Sequence, residues 1–99
     1  MVSGRSRIER QLKSTTKRLA SSRSELSILD EQIVSIADDA SDAEIRALVS
    51  ESPGAAHEGT QAARHLTSMK SARAALVDEI AQLESKVDTL LDRLAEAGT

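Results

Sequence analysis

His57 and Glu58 open the run His57-Glu58-Gly59-Thr60-Gln61. It differs by one residue from the H-E-x-x-H pattern, which sets two imidazoles one helical turn apart around zinc. Gln61 stands where the second imidazole belongs, and an amide is a poor zinc ligand. His65 follows His57 by eight residues, two helical turns on and too far for both to grip one ion. The carboxylates Asp38, Asp39, Asp42 and Glu44 suggest magnesium binding or general acid chemistry. Such a pair needs an enclosed pocket to separate its pKa values. Short acids also serve turns and helix starts, where they cap free N–H groups and meet the helix dipole. Gly54 and Gly59 bracket Ala-Ala-His-Glu, with no lysine of a phosphate loop. The serine-rich stretch from Lys13 to Ser24 pairs no nucleophile with a base. The expectation is a protein that is not an enzyme, with no catalytic residue, metal, cofactor or small-molecule substrate.

Helices are the elements that would position any of these groups. The 99 residues contain no Phe, Trp, Tyr or Cys, and the one proline is Pro53. Without aromatic rings, Leu, Ile, Val and Ala must supply the buried bulk, which suits helix seams better than a thick sandwich. Without cysteine, neither a disulfide framework nor a thiolate metal site can form. The longest apolar run, Ala74-Ala75-Leu76-Val77, is far too short to span a bilayer. The basic start of the chain lacks the apolar core of a secretory signal, so a cytoplasmic location without membrane contact is expected.

Two heptad series run along the chain. Ile8, Leu12, Thr15, Leu19, Ser22, Leu26, Leu29, Ile33 and Ile36 step by four and three without a break, with Thr15 and Ser22 the polar members. Ala62, Leu66, Met69, Arg73, Leu76, Ile80, Leu83, Val87, Leu90, Leu94 and Ala97 do the same, interrupted by Arg73. Such spacing is the seam of a coiled coil. Ser6 with Glu9 and Ser41 with Glu44 have the form of capping boxes, Ser3 being an alternative start. Ser52-Pro53 is a natural helix opening, Thr60 a second choice, and Gly98 stands where a C-terminal cap would. These signals predict one domain over 1–99, with a long helix over 6–38, a short one over 42–50 and a long one over 53–97.

Charge selects the topology. Arg5, Arg7, Arg10, Lys13, Lys17, Arg18 and Arg23 face a single acid, Glu9, before residue 25, whereas residues 78–96 are rich in acids. An antiparallel pairing sets the basic half beside the acidic half, and a parallel self-dimer would set like beside like. The fold class expected is all-α: an antiparallel coiled-coil helical hairpin with a short helix at its tip, able to associate into a homodimeric four-helix bundle. Two registers satisfy the seam. One puts Leu19 across from Leu83, and the other puts Leu19 across from Leu76 and Arg73 beside Ser22. Arg73 is expected to snorkel to the rim, beside Ser22 or Asp30.

Two surfaces could bind. Ile45, Leu48 and Val49 share one face of the short helix and, with Asp39 and Asp42, form a candidate partner-binding tip. Their cover is either the start of the last helix, through Ala55, Ala56 and Ala62, or another protein. Arg10, Lys13 and Lys17 on an outer helix face could follow phosphates, although no aromatic is available to stack a base. The expected function is therefore a coiled-coil interaction or adaptor protein that binds a protein partner or itself. A nucleic-acid-associated regulator is the second reading. Asp39-Ala40-Ser41-Asp42 resembles, in spacing and charge, the acidic hairpin tip of Gre and DksA type transcription factors. The chain lacks the zinc-finger cysteines of DksA and the length for a Gre C-terminal domain. That resemblance implies a tip inserted into RNA polymerase.

Overall fold

A computed structural model describes residues 4–98. It is all-helical, with α1 over Gly4–Ser50 and α2 over Pro53–Ala97 packed against each other like a hairpin. The contacts group into two units, one formed by Met1–Glu25 with Leu76–Thr99 and the other by Leu26–Ala75. Among the described residues, no helix is long and apolar enough to cross a membrane.

The break expected between 38 and 42 does not occur. Residues 39–41 are helical and α1 continues to Ser50, so there is no separate short helix. Asp38, Asp39, Ser41 and Asp42 are only modest helix formers, but no glycine or proline stands among them. Ala37, Ala40, Ala43 and Ala47 are the best formers available. The seam also keeps its phase, since Ile36, Ala40, Ala43 and Ala47 continue the alternating steps of four and three. Burying that stripe outweighs the weak local preference of the acids for a turn.

The first unit carries most of the buried members of the seam. Thr15, Leu19 and Ser22 of α1 and Leu76, Ile80 and Leu90 of α2 are buried. Ile8, Leu12, Leu83, Val87 and Leu94 are half-buried, and Ala97 is exposed. Arg18 donates from Nε and Nη2 to Glu79 Oε1 at 3.1 and 2.6 Å, and Arg23 Nη2 lies 3.6 Å from Glu84 Oε2. The basic half of α1 thus meets acids of α2. These exposed pairs contribute only about 0–1 kcal/mol each. They join α1 to α2 at two points.

In the second unit the seam is built from small residues near the turn. Ala43 is buried, and Ala40, Ala47, Ala55, Gly59 and Ala62 are half-buried. A methyl group added at Gly59 would lie 3.4 Å from Ala47 Cβ and 3.6 Å from the Ala43 carbonyl oxygen, so the two backbones approach closely here. Arg73, the charged member of the seam, is exposed and donates from Nε to Asp30 at 2.5 Å. The hydrogen bond to Asp30, then its charge, holds the guanidinium pKa above the ordinary value. Of the two partners expected for Arg73, the structure selects Asp30. Thr60 and Thr67 stay within α2 by donating to the carbonyls of Ala56 and Ala63.

Two residues make the turn. Glu51 has a φ of 50°, the left-handed conformation that commonly ends a helix and usually falls to glycine. Ser52 then caps α2, its Oγ accepting the Ala55 N–H at 3.1 Å and its carbonyl the Ala56 N–H at 3.0 Å. Pro53 is the first helical residue, where its missing N–H costs nothing. The other expected caps differ. Ser6 lies inside α1, Glu9 accepts from Arg5 Nε at 3.1 Å, and Ser3 is outside the described residues. Gly98 does not take a positive φ, and it donates its N–H to the Leu94 carbonyl at 3.0 Å, as a continuing helix would. The strained position is therefore Glu51. Glu51→Gly is expected to stabilise the protein by about 0.5–1 kcal/mol, read as a higher urea midpoint with an unchanged slope.

Candidate functional site

The sequence placed five residues at the tip, and the structure brings four of them to one surface. With Ala40, Ala43 and Ala47 taking the seam, the opposite side of α1 turns Ile45, Leu48 and Val49 outward. They are 56, 73 and 78% exposed, respectively. Asp42 precedes Ile45 by three residues and shares its face. Asp39 is exposed but lies on the stripe of Ala43 and Arg46, about a third of a turn away. None of these residues lies at the turn, which is Glu51-Ser52. The resemblance of Asp39 to Asp42 to an acidic hairpin tip therefore fails on position, because both acids sit within α1.

The start of α2 does not cover the triad. Ala55, Gly59 and Ala62 face the alanine stripe of α1 instead. Beside that stripe runs an open, shallow groove with Ala40, Ala47, Ala56, Gly59, Ala63 and Leu66 among its walls. Ser41 and Glu44 stand on its α1 side, and Leu48 continues their stripe at the next turn. An apolar ridge next to a groove of small residues is a shape that receives another helix. The surrounding acids Asp38, Asp42, Glu44 and Glu51 are all exposed, with Arg46 the one cation from Asp38 to Glu51.

Arg10, Lys13 and Lys17 are exposed on α1 in the first unit, and none of them forms an ion pair among the described residues. Arg10 also lines an open groove with Arg7, Gln11, Ser14, Thr15 and Lys86. Lys86 comes from α2. Its place here depends on the alignment of the two helices, which no local motif announces.

No family model, curated protein or solved structure matches this chain. The reading of the surfaces rests on their own chemistry. Among the described residues, no three His, Cys, Asp or Glu side chains gather as metal ligands would. His57 and His65 are exposed on α2.

The sequence did not single out the alanine seam. The available signal was phase: Ala40, Ala43 and Ala47 extend the first heptad series, and Ala55 and Gly59 extend the second backwards from Ala62.

Proposed function

We propose that the chain is a non-enzymatic interaction protein, an antiparallel coiled-coil hairpin that docks one helix of a partner protein along the turn-side half of α1. The observation that carries this reading is the exposure of Ile45, Leu48 and Val49 beside a groove of small residues. A helix laid there would bury the triad, and each large side chain so covered contributes up to about 1.5–3 kcal/mol before the cost of ordering. The acids around the triad set the chemistry of the partner, an apolar stripe flanked by Lys or Arg. Two copies of this chain meeting at the triad would oppose acid to acid, so a different protein is favoured over a homodimer at this surface.

A photo-crosslinking residue introduced at Leu48 in the source cells would trap the partner for identification and purification. Binding of the purified pair is then measured by calorimetry. Leu48→Asp is expected to weaken it at least about tenfold with unchanged helicity, and Asp42→Lys to weaken it by a smaller factor. Equal affinity for wild type and Leu48→Asp would overturn the proposal. Crosslinks only to further copies of this chain would replace it with self-assembly.

A further inference from the structure

We propose that the groove of the first unit, with Arg7 and Arg10 of α1 on one side and Lys86 of α2 on the other, binds the phosphate backbone of a nucleic acid without reading its sequence. The groove is lined by Arg7, Arg10, Gln11, Ser14, Thr15 and Lys86, which are cations and neutral hydrogen-bonding groups with no carboxylate. Phosphate oxygens accept from such groups, whereas an acid in the wall would repel them.

The cations are also free to act. Arg5 is engaged by Glu9, Arg18 by Glu79 and Arg23 by Glu84. Among the described residues no ion pair forms to Arg7, Arg10, Lys13, Lys17 or Lys86. The α1 cations follow one another at intervals of three, three and four residues. At about 1.5 Å of rise per residue they stand roughly 4.5–6 Å apart along the axis. A single phosphate would need a closed cup, while an open row of charges suits a linear polyanion. The chain has no aromatic residue to stack a base, so the contact is confined to the backbone. The acids of α2 from Asp78 to Glu96 offset the cations of this unit in number, but Glu9, Glu79 and Glu84 are held by Arg5, Arg18 and Arg23, and no carboxylate lines the groove itself.

The test uses the full chain and a fluorescent mixed-sequence DNA duplex of about 20 base pairs, with anisotropy read across a salt series. Five cations predict a log–log salt slope of about −4 to −5. Arg7→Gln, Arg10→Gln and Lys86→Gln together should flatten it by about 3 and weaken binding more than tenfold at low salt. Lys86→Glu alone, one exposed change on the other helix, should also weaken binding. Arg23→Gln, which removes a cation already paired, should leave affinity within about twofold. The proposal is overturned if wild type does not bind at the lowest salt, or if the triple variant and Lys86→Glu bind as wild type does. Leu48→Asp should bind the duplex normally, so failure here and failure of helix docking are separable.

Discussion

Leu90→Ala is expected to destabilise the protein by about 2–3 kcal/mol, the largest loss from any single seam position. Leu90 is 2% exposed. Truncation removes its transfer free energy and leaves a void that the helices close only in part. A pair of helices can draw together more easily than a thick core, which places the cost toward the lower end of the range for buried leucines. The neighbouring residue supplies the contrast, since Leu91 is 49% exposed. Leu91→Ala should change stability by less than about 0.5 kcal/mol. Urea unfolding followed by circular dichroism at 222 nm measures both. A larger loss at Leu91 than at Leu90 would mean that the seam of α2 is assigned to the wrong face.

Ala43→Leu should destabilise by about 1–3 kcal/mol, although it adds apolar surface to a buried site. Ala43 is 5% exposed, and its carbonyl and the Ala47 methyl already lie within ordinary contact distance of a side chain at Gly59. Leucine needs space that these closely set backbones do not leave. It must push the helices apart or leave its preferred rotamer. Gly59→Ala is the opposite case. Its one added carbon arrives at 3.4 Å from Ala47 Cβ, so it gains helix propensity of up to about 1 kcal/mol with little crowding. Differential scanning calorimetry should therefore show a lower melting temperature for Ala43→Leu and an equal or higher one for Gly59→Ala.

Much of this fold was legible in the sequence. The steps of four and three placed Leu19, Leu76, Ile80 and Leu90 in the seam, and the charge of the two halves anticipated the meeting of Arg18 with Glu79. What was misread was local. Asp38, Asp39, Ser41 and Asp42 look like a turn because such residues favour turns. Ala40, Ala43 and Ala47 give a weak seam signal because alanine is neither strongly apolar nor bulky. Packing decided the matter, since small side chains let two helices approach and make a continuous seam worth more than a local break. The turn was legible, since Ser52-Pro53 marked the opening of α2 and the expected helix ends at 50 and 53 are those observed, but the left-handed conformation of Glu51 carries no Gly or Asn to announce it. On the candidate surfaces, Ile45, Leu48 and Val49 share one face by their spacing, and only the structure shows which way that face turns. The contribution of Lys86 depends on helix alignment, which two registers left open.

In this structure α1 buries Ala43 and presents Leu48. The chain contains no cysteine, so thiol labelling of single variants tests that directly. Leu48→Cys and Ala43→Cys are treated with a maleimide under native conditions, and each rate is compared with that of the same variant in urea. Leu48→Cys should label nearly as fast native as unfolded, and Ala43→Cys at least about tenfold more slowly when native. Protection of Leu48→Cys together with rapid labelling of Ala43→Cys would mean that α1 is turned the other way, with Leu48 already covered within the chain.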